Sequence, residues 1–136
     1  MTRYSILSRD FSKIHQLNEN VFLLSSGMVA DVQALRGKLD EIIDGYEYKM
    51  FRRPHLHPTA SMLCSQFLTK AKTLYSKRFF PYYTFNLLAG ITPDGEPRVY
   101  GYDAIGSYDT QPYAVQGSGQ QLMVGLLDNQ FQRRCF

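Results

Sequence analysis

The chain has 136 residues, 44% hydrophobic and 20% charged, which is enough apolar material for the core of one domain and too polar for a membrane span. Fifteen basic residues against twelve acidic ones leave a net charge of +3 spread along the sequence, a balance that does not by itself indicate nucleic acid. Two cysteines, Cys64 and Cys135, are too few for a disulfide framework and fit a reduced intracellular compartment, and the Met1 region lacks the continuous apolar run of a signal peptide.

In chain order, a first strand is expected near Tyr4 to Leu7. Ser12 to Leu17 and the apolar run Val21 to Ser26 then read as a hairpin around Asn18, Glu19 and Asn20. Met28, Val32, Leu35, Leu39, Ile42, Tyr46 and Met50 recur at steps of three and four, the stripe of an amphipathic helix. Pro54 and Pro58 bracket a loop, and Thr59 is the predicted N-cap of a second helix that buries Ala60, Leu63, Phe67, Ala71 and Leu74. Lys70, Lys72, Lys77 and Arg78 crowd its C-terminal half, where they complement the helix dipole.

From Tyr83 the odd positions run Tyr83, Phe85, Leu87, Ala89 and Ile91 and the even ones Thr84, Asn86 and Leu88, so the odd, apolar row is predicted to be the buried face of a strand. Pro93, Asp94 and Gly95 carry turn chemistry, and Val99, Tyr100 and Tyr102 resume a strand. Tyr113 to Gln116 reads as a short strand, and Gly117-Ser118-Gly119 opens a helix through Leu122, Met123, Leu126 and Leu127. Strands and helices segregated in this way predict an α+β fold. There are no internal repeats or low-complexity tracts.

The run SKRFFPYY, the Asp103 to Ser107 run DAIGS, and QGSG followed by LLDNQ closely resemble a proteasome beta subunit, in the version found at the noncatalytic sixth position of the beta ring. The resemblance covers Tyr4 to about Gln130 without a gap, leaving residues 130–136 as a divergent tail of a single domain over 1–136. It implies a four-layer αββα sandwich of the N-terminal-nucleophile hydrolase type, incomplete here: two strands before Tyr4 and further elements after Asp128 are expected in a family member. Such an opened sandwich is expected to expose sheet edges and apolar side chains such as Phe85 and Leu87 and to aggregate when isolated. The resemblance further implies assembly with other proteasome alpha and beta subunits in the cytoplasm and nucleus, for ubiquitin-dependent protein degradation.

In active members of the family an N-terminal threonine attacks the peptide carbonyl, with its own amine as proton acceptor. Thr2 becomes N-terminal if Met1 is removed, yet it lies far along the chain from that nucleophile and is read as incidental, so no catalytic residue is expected. Three other site positions carry over by resemblance. Lys13 matches the lysine that lowers the nucleophile's pKa, although its simpler reading is a strand residue paired with a carboxylate. Gly27, in SSGMVAD, matches the glycine whose N–H helps form the oxyanion hole, although backbone geometry alone accounts for a glycine there. Ser118 matches the serine of the GSG turn.

Without the resemblance, Gly117-Ser118-Gly119 is an anion cradle or a plain helix start. His55-x-His57 lacks a third ligand at zinc spacing, and the aromatic rows follow strand spacing better than base stacking. No cofactor, metal, nucleic acid or membrane is expected. Three functions remain: a noncatalytic structural proteasome subunit, a threonine protease completed by an upstream Gly-Thr segment or a stand-alone enzyme using Ser118 or a processed Thr2, and a binding module for an anion or single-stranded nucleic acid.

Overall fold

The computed structural model describes residues 8–55, 57–60, 83–103 and 107–131. Expectations that fall on the first strand near Tyr4, on Thr2, on the body of the second helix with Leu63, Phe67, Ala71 and Leu74, on the basic run to Arg78, on RFFPYY short of Tyr83, on both cysteines and on the terminal residues lie outside them.

Five antiparallel strands form one sheet in sequence order: β1 (Ile14–Asn18), β2 (Val21–Gly27), β3 (Thr84–Ile91), β4 (Pro97–Tyr102) and β5 (Tyr108–Gln111). A long helix, α1 (Val29–Met50), follows β2, and a shorter one, α2 (Gln120–Gln130), follows β5. The two predicted hairpins are present. Between β1 and β2 the chain reverses through Glu19 and Asn20, with Asn18 Oδ1 accepting from the Glu19 N–H at 2.8 Å. Between β3 and β4, Gly95 adopts a φ of 84°, its N–H donates to Thr92 O at 2.9 Å, and the Thr92 N–H donates to Glu96 O.

The core lies between this sheet and α1. Val32, Leu35, Leu39 and Ile43 of α1 are buried, the last three in one cluster with Leu17, Val21, Leu23 and Leu88 of the sheet. Spacings of three, four and four keep those helical positions on one stripe. The stripe differs from its prediction in two ways: Ile43 is the buried isoleucine while Ile42 is half-buried, and Met28 and Met50 at its ends are exposed.

The buried face of β3 is the reverse of the predicted one. Thr84, Asn86 and Leu88 face α1 and are buried, whereas Tyr83, Phe85 and Ile91 of the apolar row are exposed and Leu87 is nearly covered. Polarity misled because the polar groups satisfy one another: Ser25 Oγ donates to Asn86 Oδ1 at 2.8 Å, and Asn86 Nδ2 donates to Thr84 Oγ1 at 2.8 Å. The apolar row lies on the opposite face with Phe22 and Ile14, both exposed. This is the arrangement of an incomplete sandwich: one face carries a helix and, among the described residues, no second sheet lies on the other.

Two further boundaries shift. Residues 57–60 are already helical, so Thr59 stands inside the turn and not at its cap; its Oγ1 donates to His55 O at 2.8 Å. The strand expected at Tyr113 to Gln116 is irregular, and the last strand among the described residues is β5. Tyr108 secures β5, its ring edge-on to Tyr100 at 5.7 Å and stacked on Tyr102 at 5.5 Å, while the Tyr102 hydroxyl donates to Ala60 O at 2.8 Å.

Candidate functional site

Where β2 ends and the chain enters α1, the backbone must turn sharply beside β3. Gly27 does this with a φ of 116°, and a Cβ there would collide with Tyr83 O. The next N–H, that of Met28, donates to Tyr83 O at 2.9 Å. Alternation in an antiparallel ladder therefore turns the Gly27 N–H away from β3 and toward the side on which β1 runs. Lys13 stands on that side, one residue before β1, its carbonyl accepting from the Ser25 N–H at 3.0 Å. Asp31, in the first turn of α1, fixes the corner by accepting from the Tyr83 N–H at 3.0 Å.

The GSG turn closes the third side. Gly117 has a φ of 110° and backs onto Ser26, with space for a Cβ at 3.7 Å from its hydroxyl. Gly119 caps α2, and the N–H groups of Leu122 and Met123 donate to its carbonyl. Just ahead of the turn, Gln116 Nε2 donates to Tyr102 O at 2.7 Å. Its Oε1 is buried with no hydrogen-bond partner among the described residues.

A pocket of about 640 Å³ lies between these segments, and Lys13, Gly27 and Ser118 all line it, with Ser26, Phe85 and Gln116. Three positions far apart in the sequence thus share one cavity. Lys13 stands immediately before β1, and among the described residues it makes no ion pair. A lysine, an N–H turned to the β1 side and a hydroxyl can hold and polarise an anionic or carbonyl group. Attack on a carbonyl needs in addition an activated nucleophile. Among the described threonines, Thr84 is buried on the opposite face of the sheet, Thr59 is buried beside Ala60, and Thr92 and Thr110 lie in the β3–β4 turn and in β5; none lines the pocket.

A larger cavity of about 970 Å³ on the same open face, lined by Phe22, Ile91, Val99, Pro112 and Phe131, is mainly apolar. His55 and His57 belong to no cluster of metal-ligating side chains among the described residues. Sequence reasoning missed the Ser25–Asn86–Thr84 network, for which Asn86 in a strand otherwise rich in apolar residues is the only signal.

An antiparallel sheet with α1 on one face and an open apolar face opposite fits an incomplete sandwich of the N-terminal-nucleophile hydrolase fold. Residues 1–135 match the proteasome family, described as proteasome subunit, and the chain belongs to that family. It is 45% identical over 127 residues to the proteasome subunit beta type-1 of Dictyostelium discoideum and covers 51% of that protein. It is 44% identical over 131 residues to the proteasome subunit beta type-1 of Arabidopsis thaliana, covering 56% of it, and 35% identical over 126 residues to that of Caenorhabditis elegans. These alignments take in 93%, 96% and 93% of the chain, which spans about half the length of the relatives.

Proposed function

We propose that this chain acts as a noncatalytic, structural beta-type subunit of the 20S proteasome core particle, contributing surfaces for ring assembly with other alpha and beta subunits and no nucleophile of its own. The observation that carries the reading is the strong similarity to beta type-1 subunits over nearly the whole chain. Lys13, Gly27 and Ser118 then serve as scaffold: Gly27 makes the β2–α1 corner, Ser118 stands in the turn before α2, and Lys13 faces the cavity between them. The cytoplasm and the nucleus, where such particles work, are its proposed locations. No helix among the described residues is long and apolar enough to cross a membrane.

The test uses a peptide epoxyketone, which forms an adduct with an N-terminal threonine, on particles purified from cells expressing the tagged chain. The chain is expected to co-purify and remain unlabelled while other beta subunits react. Labelling that disappears in a Thr2→Ala variant would overturn the noncatalytic reading, and absence of the chain from the particles would overturn the structural one.

A further inference from the structure

The side-chain amide of Gln116 is satisfied at one end only. Its Nε2 donates to Tyr102 O at 2.7 Å, whereas its Oε1 is buried and has no hydrogen-bond partner among the described residues. Turning the amide over does not help, because Oε1 would then face the Tyr102 carbonyl, acceptor against acceptor, and the short bond would be lost. A buried carbonyl oxygen left in this way is unfavourable, so its surroundings have to supply a donor. Gln116 lines both the corner pocket and a smaller cavity of about 160 Å³ beside it, and Lys13 and Ser26 line both as well. Ser25 also borders the smaller cavity, but its hydroxyl is committed to Asn86 Oδ1 at 2.8 Å, and the Ser26 hydroxyl donates to Phe85 O at 3.5 Å. Lys13 carries several N–H donors on a flexible stem and makes no ion pair among the described residues.

We propose that the Lys13 ammonium donates to Gln116 Oε1, as a latch that ties the GSG turn to the β1 side and closes the corner pocket on itself. The carbonyl group that the lysine holds is then the chain's own amide. A neutral acceptor suits the place: it satisfies the orphan oxygen with a charge-assisted bond and brings no second charge into a partly apolar cavity. Gly117, with its φ of 110° and its back to Ser26, lets the chain turn directly after the latch. The consequence for function rests on the noncatalytic reading. In a subunit without a nucleophile the lysine serves no reacting group, and Gln116 acts as a positioning residue that engages the pocket's cation and holds the turn before α2.

The reactivity of the lysine measures the latch. The full chain is recovered by its own tag from cells, in whatever assembly it forms, and treated with limiting acetic anhydride; mass spectrometry then compares acetylation at Lys13 with that at Lys49. Both residues are exposed, so access alone gives them similar rates. The expected result is acetylation at Lys13 slower than at Lys49 by about fivefold or more, since an ammonium held by an acceptor yields its lone pair less readily. Gln116→Leu removes both ends of the amide and should bring Lys13 up to the Lys49 rate. Gln116→Glu separates a latch from a loosened turn: it keeps an oxygen for Lys13 while giving up the Nε2 donor to Tyr102 O, so a latch makes Lys13 slower still and a loosened turn makes it faster. Lys13 reacting as fast as Lys49 in the parent, as it would if water alone satisfied the oxygen, overturns the proposal, as does a rate unchanged in Gln116→Leu or raised in Gln116→Glu. Co-purification of other proteasome subunits with the tag reports on the structural role separately, so either reading can fail without the other.

Discussion

At Gly27 a single hydrogen atom in place of a methyl group decides whether the sheet and the first helix can join as they do. The residue combines a φ of 116° with close approach to the carbonyl of Tyr83. Gly27→Ala is therefore expected to lower unfolding free energy by roughly 1–3 kcal/mol from backbone strain alone, with the collision added. Urea denaturation checks this, and a variant as stable as the parent would contradict the corner geometry. His15 offers a second reading at this scale. Its Nδ1 lies 3.2 Å from Arg36 Nη1, and partial burial followed by the Arg36 charge holds the imidazole pKa below its ordinary 6.5, against a smaller upward pull from Asp40. The folded state thus binds this proton less readily than the unfolded state. Stability from this site is complete above pH 6.5 and is lost as pH falls from there through the lower folded value. An NMR titration of the His15 ring should show Arg36→Ala moving its midpoint up and Asp40→Asn moving it down; the opposite signs would refute the assignment.

For whole elements, the sequence was most legible where a period and a turn agreed. Val21 to Ser26 is a compact apolar run beside Asn18–Asn20, Tyr83 to Ile91 alternates at a period of two beside Pro93–Gly95, and both hairpins form there. Which face of β3 is buried was not legible, because alternation records two faces and says nothing of what covers each. Thr84 and Asn86 are accommodated under α1 only through their bonds to each other and to Ser25, a partnership between strands separated by 61 positions for the Ser25–Asn86 pair. The last strand was missed for a related reason: Tyr-Asp-Thr-Gln in β5 has little apolar pattern, and pairing to β4 together with the Tyr108 ring holds it. The corner pocket itself could be found only through family resemblance, since Lys13, Gly27 and Ser118 share no local motif. Asn86→Ala leaves two buried hydroxyls without their partner and should cost about 1–3 kcal/mol for each group left unsatisfied. Leu35→Ala, which opens the core under α1, should cost about 2–5 kcal/mol. Thermal or urea melts measure both, and an Asn86→Ala variant of unchanged stability would show that the network contributes nothing.

Across the whole molecule the open sheet face sets behaviour in solution. Phe22, Phe85 and Ile91 expose ring and aliphatic surface on one side of a sheet whose other side is closed by α1. An exposed apolar face of this kind favours association, so the isolated chain should enhance the fluorescence of a hydrophobic dye and sediment as oligomers. Phe85→Lys should reduce dye binding while changing stability by no more than about 0.5 kcal/mol, as for other exposed positions. A dispersed monomer that leaves the dye dark would contradict the open face. In the proposed role, neighbouring elements of a larger particle would cover the same surface. Native mass spectrometry of 20S particles purified through another subunit tests this central claim most directly: the account predicts an intact particle that releases this chain on activation, identified by the peptide spanning residues 79–98, and consistent absence of that peptide from assembled particles would contradict it.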